Sequence, residues 1–95
     1  MHMDTIKING KTFDAYTVPT ENVSMMMINA KHGMLACGYI SITAADKFGD
    51  ALAVVRGVSS YDDMLTTQVA EVSKKASERG IKIGMTGKDT LLSLS

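Results

Sequence analysis

Two strand-length runs near the middle of the chain, residues 23–30 and 34–42, show no alternation of polar and apolar side chains. Neighbouring residues of a strand point to opposite faces, so each run is apolar on both faces and has to be covered on both. Helices can cover one face; a second sheet or a second subunit has to cover the other. The segment Lys31-His32-Gly33 between the runs reads as a tight turn, which makes them a hairpin. Cys37, the only cysteine, sits inside the second run beside Gly38, where the missing side chain leaves the backbone approachable.

The flanking segments supply the rest of the fold. Residues 5–8 and 11–18 alternate in polarity around Asn9-Gly10, the pair preferred in two-residue hairpin turns, so a first hairpin precedes the apolar one. Its buried face should carry Ile6, Ile8, Phe13, Ala15 or Tyr16, and Val18, with Lys7 and Lys11 in water. Thr43 is placed to cap a short helix over 44–48 that Gly49 ends, and residues 51–55 form a continuous apolar strand. A long helix is expected from a cap at Ser59 or Ser60 to Gly80, with Asp62 and Asp63 in its first turn and Lys74, Lys75 and Arg79 towards its end. Its apolar stripe would be Tyr61, Leu65, Val69, Val72 and Ala76. A strand over 81–85 and a helix opened by Gly87 complete the chain. The expected architecture is α+β over residues 1–95: one mixed sheet of about six strands, two N-terminal hairpins followed by β-α-β-α, covered by two or three helices. The last two strands would be parallel neighbours joined through the long helix.

A 95-residue chain buries only about 60 to 65% of its unfolded surface, and one cysteine allows no internal disulfide. With 45% hydrophobic residues, apolar burial against another copy is the simplest remedy, so a homo-oligomer is expected. Formal net charge is zero and the basic residues form no run, which disfavours a nucleic-acid partner. The sequence shows no apolar run of membrane-spanning length and no secretory h-region, and the single free Cys fits a reducing compartment, so cytoplasm is the expected location. His2 between Met1 and Met3 reads as a cloning junction ahead of a start at Met3.

Three glycine-marked junctions are candidate sites: Cys37-Gly38, Arg56-Gly57-Val58-Ser59-Ser60 and Gly84-Met85-Thr86-Gly87-Lys88. The second and third lead into helix N-termini, where free N–H groups favour an anion. A small anionic ligand held by Arg56, Gly57, Ser59, Ser60, Gly84, Thr86, Gly87 and Lys88 is therefore one expectation. The plainer account gives the glycines to turns and the serines to caps, and pairs Arg56 with Asp62 or Asp63.

Gly84 to Lys88 looks like a phosphate-binding loop but lacks its first glycine, Lys82 standing there, and its final hydroxyl, Asp89 standing there. Cys37 could act as a nucleophile if a cation lowered its pKa, with Arg56 the best placed; a small buried residue is the ordinary role of such a cysteine. Met25, Met26 and Met27 alternate faces and cannot converge on one soft metal, so they fill a core or an interface. No metal or other cofactor is expected.

Four segments, Ala36-Cys37-Gly38-Tyr39, Ala53-Val54-Val55-Arg56-Gly57-Val58, Asp62-Asp63-Met64-Leu65 and Gly80-Ile81-Lys82-Ile83-Gly84-Met85-Thr86-Gly87-Lys88, resemble in order and spacing the bacterial and archaeal family DUF1805, or YunC-like. The resemblance runs from Ile6 to Leu92. It implies a compact α+β domain and no particular activity. Three functions stay open: an oligomeric module binding a small anion, an assembly subunit without a ligand, and a cysteine-dependent enzyme using Cys37.

Overall fold

The computed structural model describes residues 2–95. The chain runs through β1 (His2–Ile8), β2 (Lys11–Pro19), β3 (Ser24–Ala30), β4 (Gly33–Cys37), α1 (Ile42–Phe48), β5 (Leu52–Val55), α2 (Tyr61–Thr66), β6 (Glu71–Val72), α3 (Lys74–Glu78) and α4 (Gly87–Leu94). Among the described residues, six strands form one mixed sheet in the order β1-β2-β3-β4-β5-β6, packed with four helices, an α+β fold.

Both hairpins form. Asn9 and Gly10 take positive φ, 51° and 82°, as a tight turn matched to strand twist requires, and Ile6 pairs with Phe13 across it. β3 and β4 pair with Ile28 opposite Leu35, and the turn between them is held at two points. The His32 N–H donates to the Leu94 carbonyl at 2.8 Å, and the Arg79 guanidinium donates to the His32 carbonyl.

β4 ends sooner than the apolar run suggests. The Ile40 N–H turns back to the Cys37 carbonyl, and Ser41, not Thr43, caps α1 by accepting from the Ala44 N–H at 3.3 Å. Gly49 ends the helix at φ 76°. α1 is the crossover between β4 and β5, the parallel pair of this sheet, with Leu35 beside Ala53.

The long helix expected over 61–79 is broken, and the parallel crossover through it does not exist. Thr66 bonds back to the Asp62 carbonyl, Thr67 ends α2 in extended backbone, and the chain then runs beside β5. Ala70 N donates to Val54 O and Ser73 N to Leu52 O, with Val72 opposite Ala53. A continuous helix would have left the β5 edge without partners in the interior, so tertiary hydrogen bonding overrides helical periodicity here. The stripe from Tyr61 to Ala76 still reaches the core, delivered by α2, a loop, β6 and α3 in turn. Residues 81–85 are not a strand: Gly80 and Gly84, at φ 89° and 98°, reverse the chain on either side of a turn that buries Ile81 and exposes Ile83.

The sheet has two unequal faces. One carries Phe13, Ala15, Met26, Ile28, Leu35, Ala53 and Val55 and is covered by α2, α3 and α4 with Met64, Ala76, Leu91 and Leu94. The other carries Ala36, Leu52 and Val54 under Ala45 of α1, with Met27, Met34, Ile40 and Ile42 at the margin. α1 shields only β4 and β5. Towards β2 and β3 this face is left to Tyr16, Met25 and Met27, all partly exposed, beside Val18 and Met3, which are exposed.

Candidate functional site

At the carboxyl ends of β4 and β5, Cys37 lies next to Val55 and Gly38 next to Arg56. Cys37 is 7% exposed, and its Sγ accepts from the Met26 N–H at 3.4 Å, on the face covered by three helices. Arg56 lies across Gly38, where a Cβ would come within 3.0 Å of its Nη1, and its guanidinium pairs with the Glu71 carboxylate of β6. Glu71 sits opposite Val54, on the α1 face. The strand alternation that separates Val54 from Val55 thus separates Arg56 from the Cys37 thiol. The partner of Arg56 is Glu71, not Asp62 or Asp63; β6, absent from the sequence reading, brings it there.

Ser59 and Ser60 are engaged by their own helix. The Ser59 N–H and Oγ both donate to Asp63 Oδ2 at 3.0 Å, and Ser60 Oγ accepts from the Asp63 N–H at 3.1 Å. These bonds, led by the Ser59 backbone N–H, hold the Asp63 carboxyl below its ordinary pKa. A carboxylate of the chain therefore occupies the anion position at this helix start.

The third junction lies at the other end of α2. Gly87 packs so closely that a Cβ would stand 1.8 Å from the Met64 carbonyl oxygen, and its N–H donates to the Thr67 carbonyl. Thr86 Oγ1 caps α4 by accepting from the Asp89 N–H at 3.2 Å, the Gly84 N–H donates to the Val69 carbonyl, and Lys88 is exposed. Cys37–Gly38 and Arg56 are thus brought together as neighbours on adjacent strands. Gly57 to Ser60 and Gly84 to Lys88 are held apart by the length of α2.

Several clefts open on the surface of the described residues. One of about 330 Å³ lies at the amino ends of β4 and β5 among Lys31, His32, Asp50 and Arg79. Sequence reasoning missed it because Arg79 arrives there through the short α3. A cleft of about 270 Å³ lies between the β2–β3 loop and Val58–Ser59. Two further clefts share Ile40: one runs along α1 past Met34, Ala44 and Phe48, the other over Tyr16, Val18, Met25 and Met27. Together they make a continuous apolar surface across the α1 face. Cys37, Arg56 and Gly84 to Lys88 line none of these four clefts.

Comparison with known proteins places this geometry. The model of the family described as a domain of unknown function, DUF1805, matches residues 36–94. The chain belongs to this family. The DUF1805 match begins within β4 and takes in all three glycine junctions. Over 98 residues the chain is 28% identical to the uncharacterized protein YunC of Bacillus subtilis strain 168, covering 99% of this chain and 97% of that one. Its fold is similar to the crystal structure of a protein of unknown function, TA1206, from Thermoplasma acidophilum, with TM-score 0.92 and 31% identity, over 99% of this chain and 92% of the other. Within this DUF1805 chain the recognisable segments have identifiable structural work: Gly38 lies beneath Arg56, Asp63 fills the start of α2, and Gly87 lets α4 approach α2.

Proposed function

We propose that this DUF1805 chain is an assembly subunit that associates with copies of itself through the α1 face of its sheet. One observation carries the reading: a helix covers half of this face, and the other half offers exposed Val18 and partly exposed Tyr16, Met25 and Met27 as one apolar surface. Contiguous apolar patches of this kind mark interaction sites on small proteins, and methionine side chains adapt to a partner's shape. The groups considered for an anion support the same reading, since Arg56, Ser59, Ser60 and Thr86 are each satisfied within the chain.

Sedimentation velocity across a wide concentration range tests it. The wild-type chain should sediment as an oligomer, and Met25→Lys, which puts a charge on the open half while its aliphatic stem still covers the sheet, should sediment as a monomer with unchanged far-UV circular dichroism. A wild-type chain that stays monomeric throughout would overturn the proposal.

A further inference from the structure

The α1 face is complementary to itself, and from this we infer a two-fold dimer in which α1 of each copy lies over β2 and β3 of the other; this rests on the self-assembly proposed above. The argument begins with the order of the strands. α1 stands over β4 and β5, on one side of the sheet midline, and the uncovered half at β2 and β3 lies on the other side at the same distance. A two-fold axis parallel to the strands, lying in the interface between β3 and β4, exchanges the two halves. Each copy then fills the vacancy of its partner, and the interface is isologous and closed.

The same rotation preserves height along the strands, so it fixes which residues meet. α1 runs antiparallel to β4 and β5, entering from the turn at Tyr39 and Ile40 and leaving at Lys47 and Phe48. At the entering end, Tyr39, 59% exposed, and Ile40 are carried to the level of Val18 and Met25, which are paired across β2 and β3. At the leaving end, Phe48, 74% exposed, and Lys47 arrive at the level of Asp14 and Asn29, also paired across β2 and β3. Asp14 is an exposed carboxylate on this face, and Lys47 is an exposed cation on the outer side of α1. Apolar groups therefore meet apolar groups at one end, and at the other Lys47 meets Asp14 with Phe48 beside them, twice in each dimer.

The face is also large enough. The molecule measures 34 × 32 × 21 Å, so the outline of its broad side is on the order of 1,000 Å², which has room for the ~800 Å² per partner of a standard stable interface.

The test exchanges charges between copies. Lys47→Asp alone sets two carboxylates face to face at both symmetric contacts, and Asp14→Lys alone sets two ammonium groups there; each should weaken the dimer by about tenfold or more. An equimolar mixture of the two variants restores both pairs, because each contact then joins one acid to one base, and should recover a dimer of near wild-type affinity by sedimentation. Both positions are exposed, so the recovery also shows that each variant is folded. If the wild type dimerises but neither variant weakens it, or the mixture gives no recovery, the two-fold arrangement is wrong while self-assembly stands. If the wild type is monomeric, both fall.

Discussion

Asp63 occupies the place that the start of its own helix offers to an anion. Its carboxylate accepts from the backbone and hydroxyl of Ser59, and those bonds favour the charged form. The folded pKa is lowered, so the stabilisation is present in full above the unfolded value of about 4 and is lost as pH falls through the folded value. Asp63→Asn should therefore have a lower thermal midpoint at neutral pH, and the difference should close as the solution is acidified; scanning calorimetry of both proteins between neutral and strongly acid pH checks this. Cys37 and Arg56 teach the complementary lesson. Their nearness was legible, since Cys37 lies in one apolar strand and Arg56 ends another. Their separation by the sheet was not, because it depends on which face each residue takes at a strand end.

At the scale of elements, Ser73 decides where the chain becomes helix again after β6. It is fully buried, and its hydroxyl accepts from the Leu52 N–H at 2.9 Å and the Ala76 N–H at 3.2 Å while donating to the Asp50 carbonyl at 2.8 Å. One side chain thus caps α3 and closes the entry to β5. Ser73→Ala leaves these buried groups short of partners and should cost roughly 2 to 3 kcal/mol, read from urea denaturation with an unchanged m-value. The first four strands and α1 were legible because each is specified by neighbours in sequence: Asn9-Gly10 sets one turn, and two unbroken apolar runs set a doubly covered hairpin. The segment from Thr66 to Met85 was not. Its apolar spacing is that of a helix, but the demand that overrides it comes from β5, whose open edge is invisible in the local sequence.

For the whole molecule, the unequal covering of the two sheet faces is the feature that bears on function. The unbroken apolar runs announced that both faces needed cover, and they could not say that α1 would cover only half of one. If association completes that cover, the thermal midpoint should rise with protein concentration for the wild type and be independent of it for Met25→Lys, since only the native state associates. The order of the strands has a consequence of another kind. Every strand lies beside the one made just before it, so a chain emerging from the ribosome can extend the sheet strand by strand, without holding an open edge for a distant partner. The exception is α4: only when Leu94 has been made can its carbonyl receive the His32 N–H, so α4 locks a turn laid down about sixty residues earlier, at the start of β4.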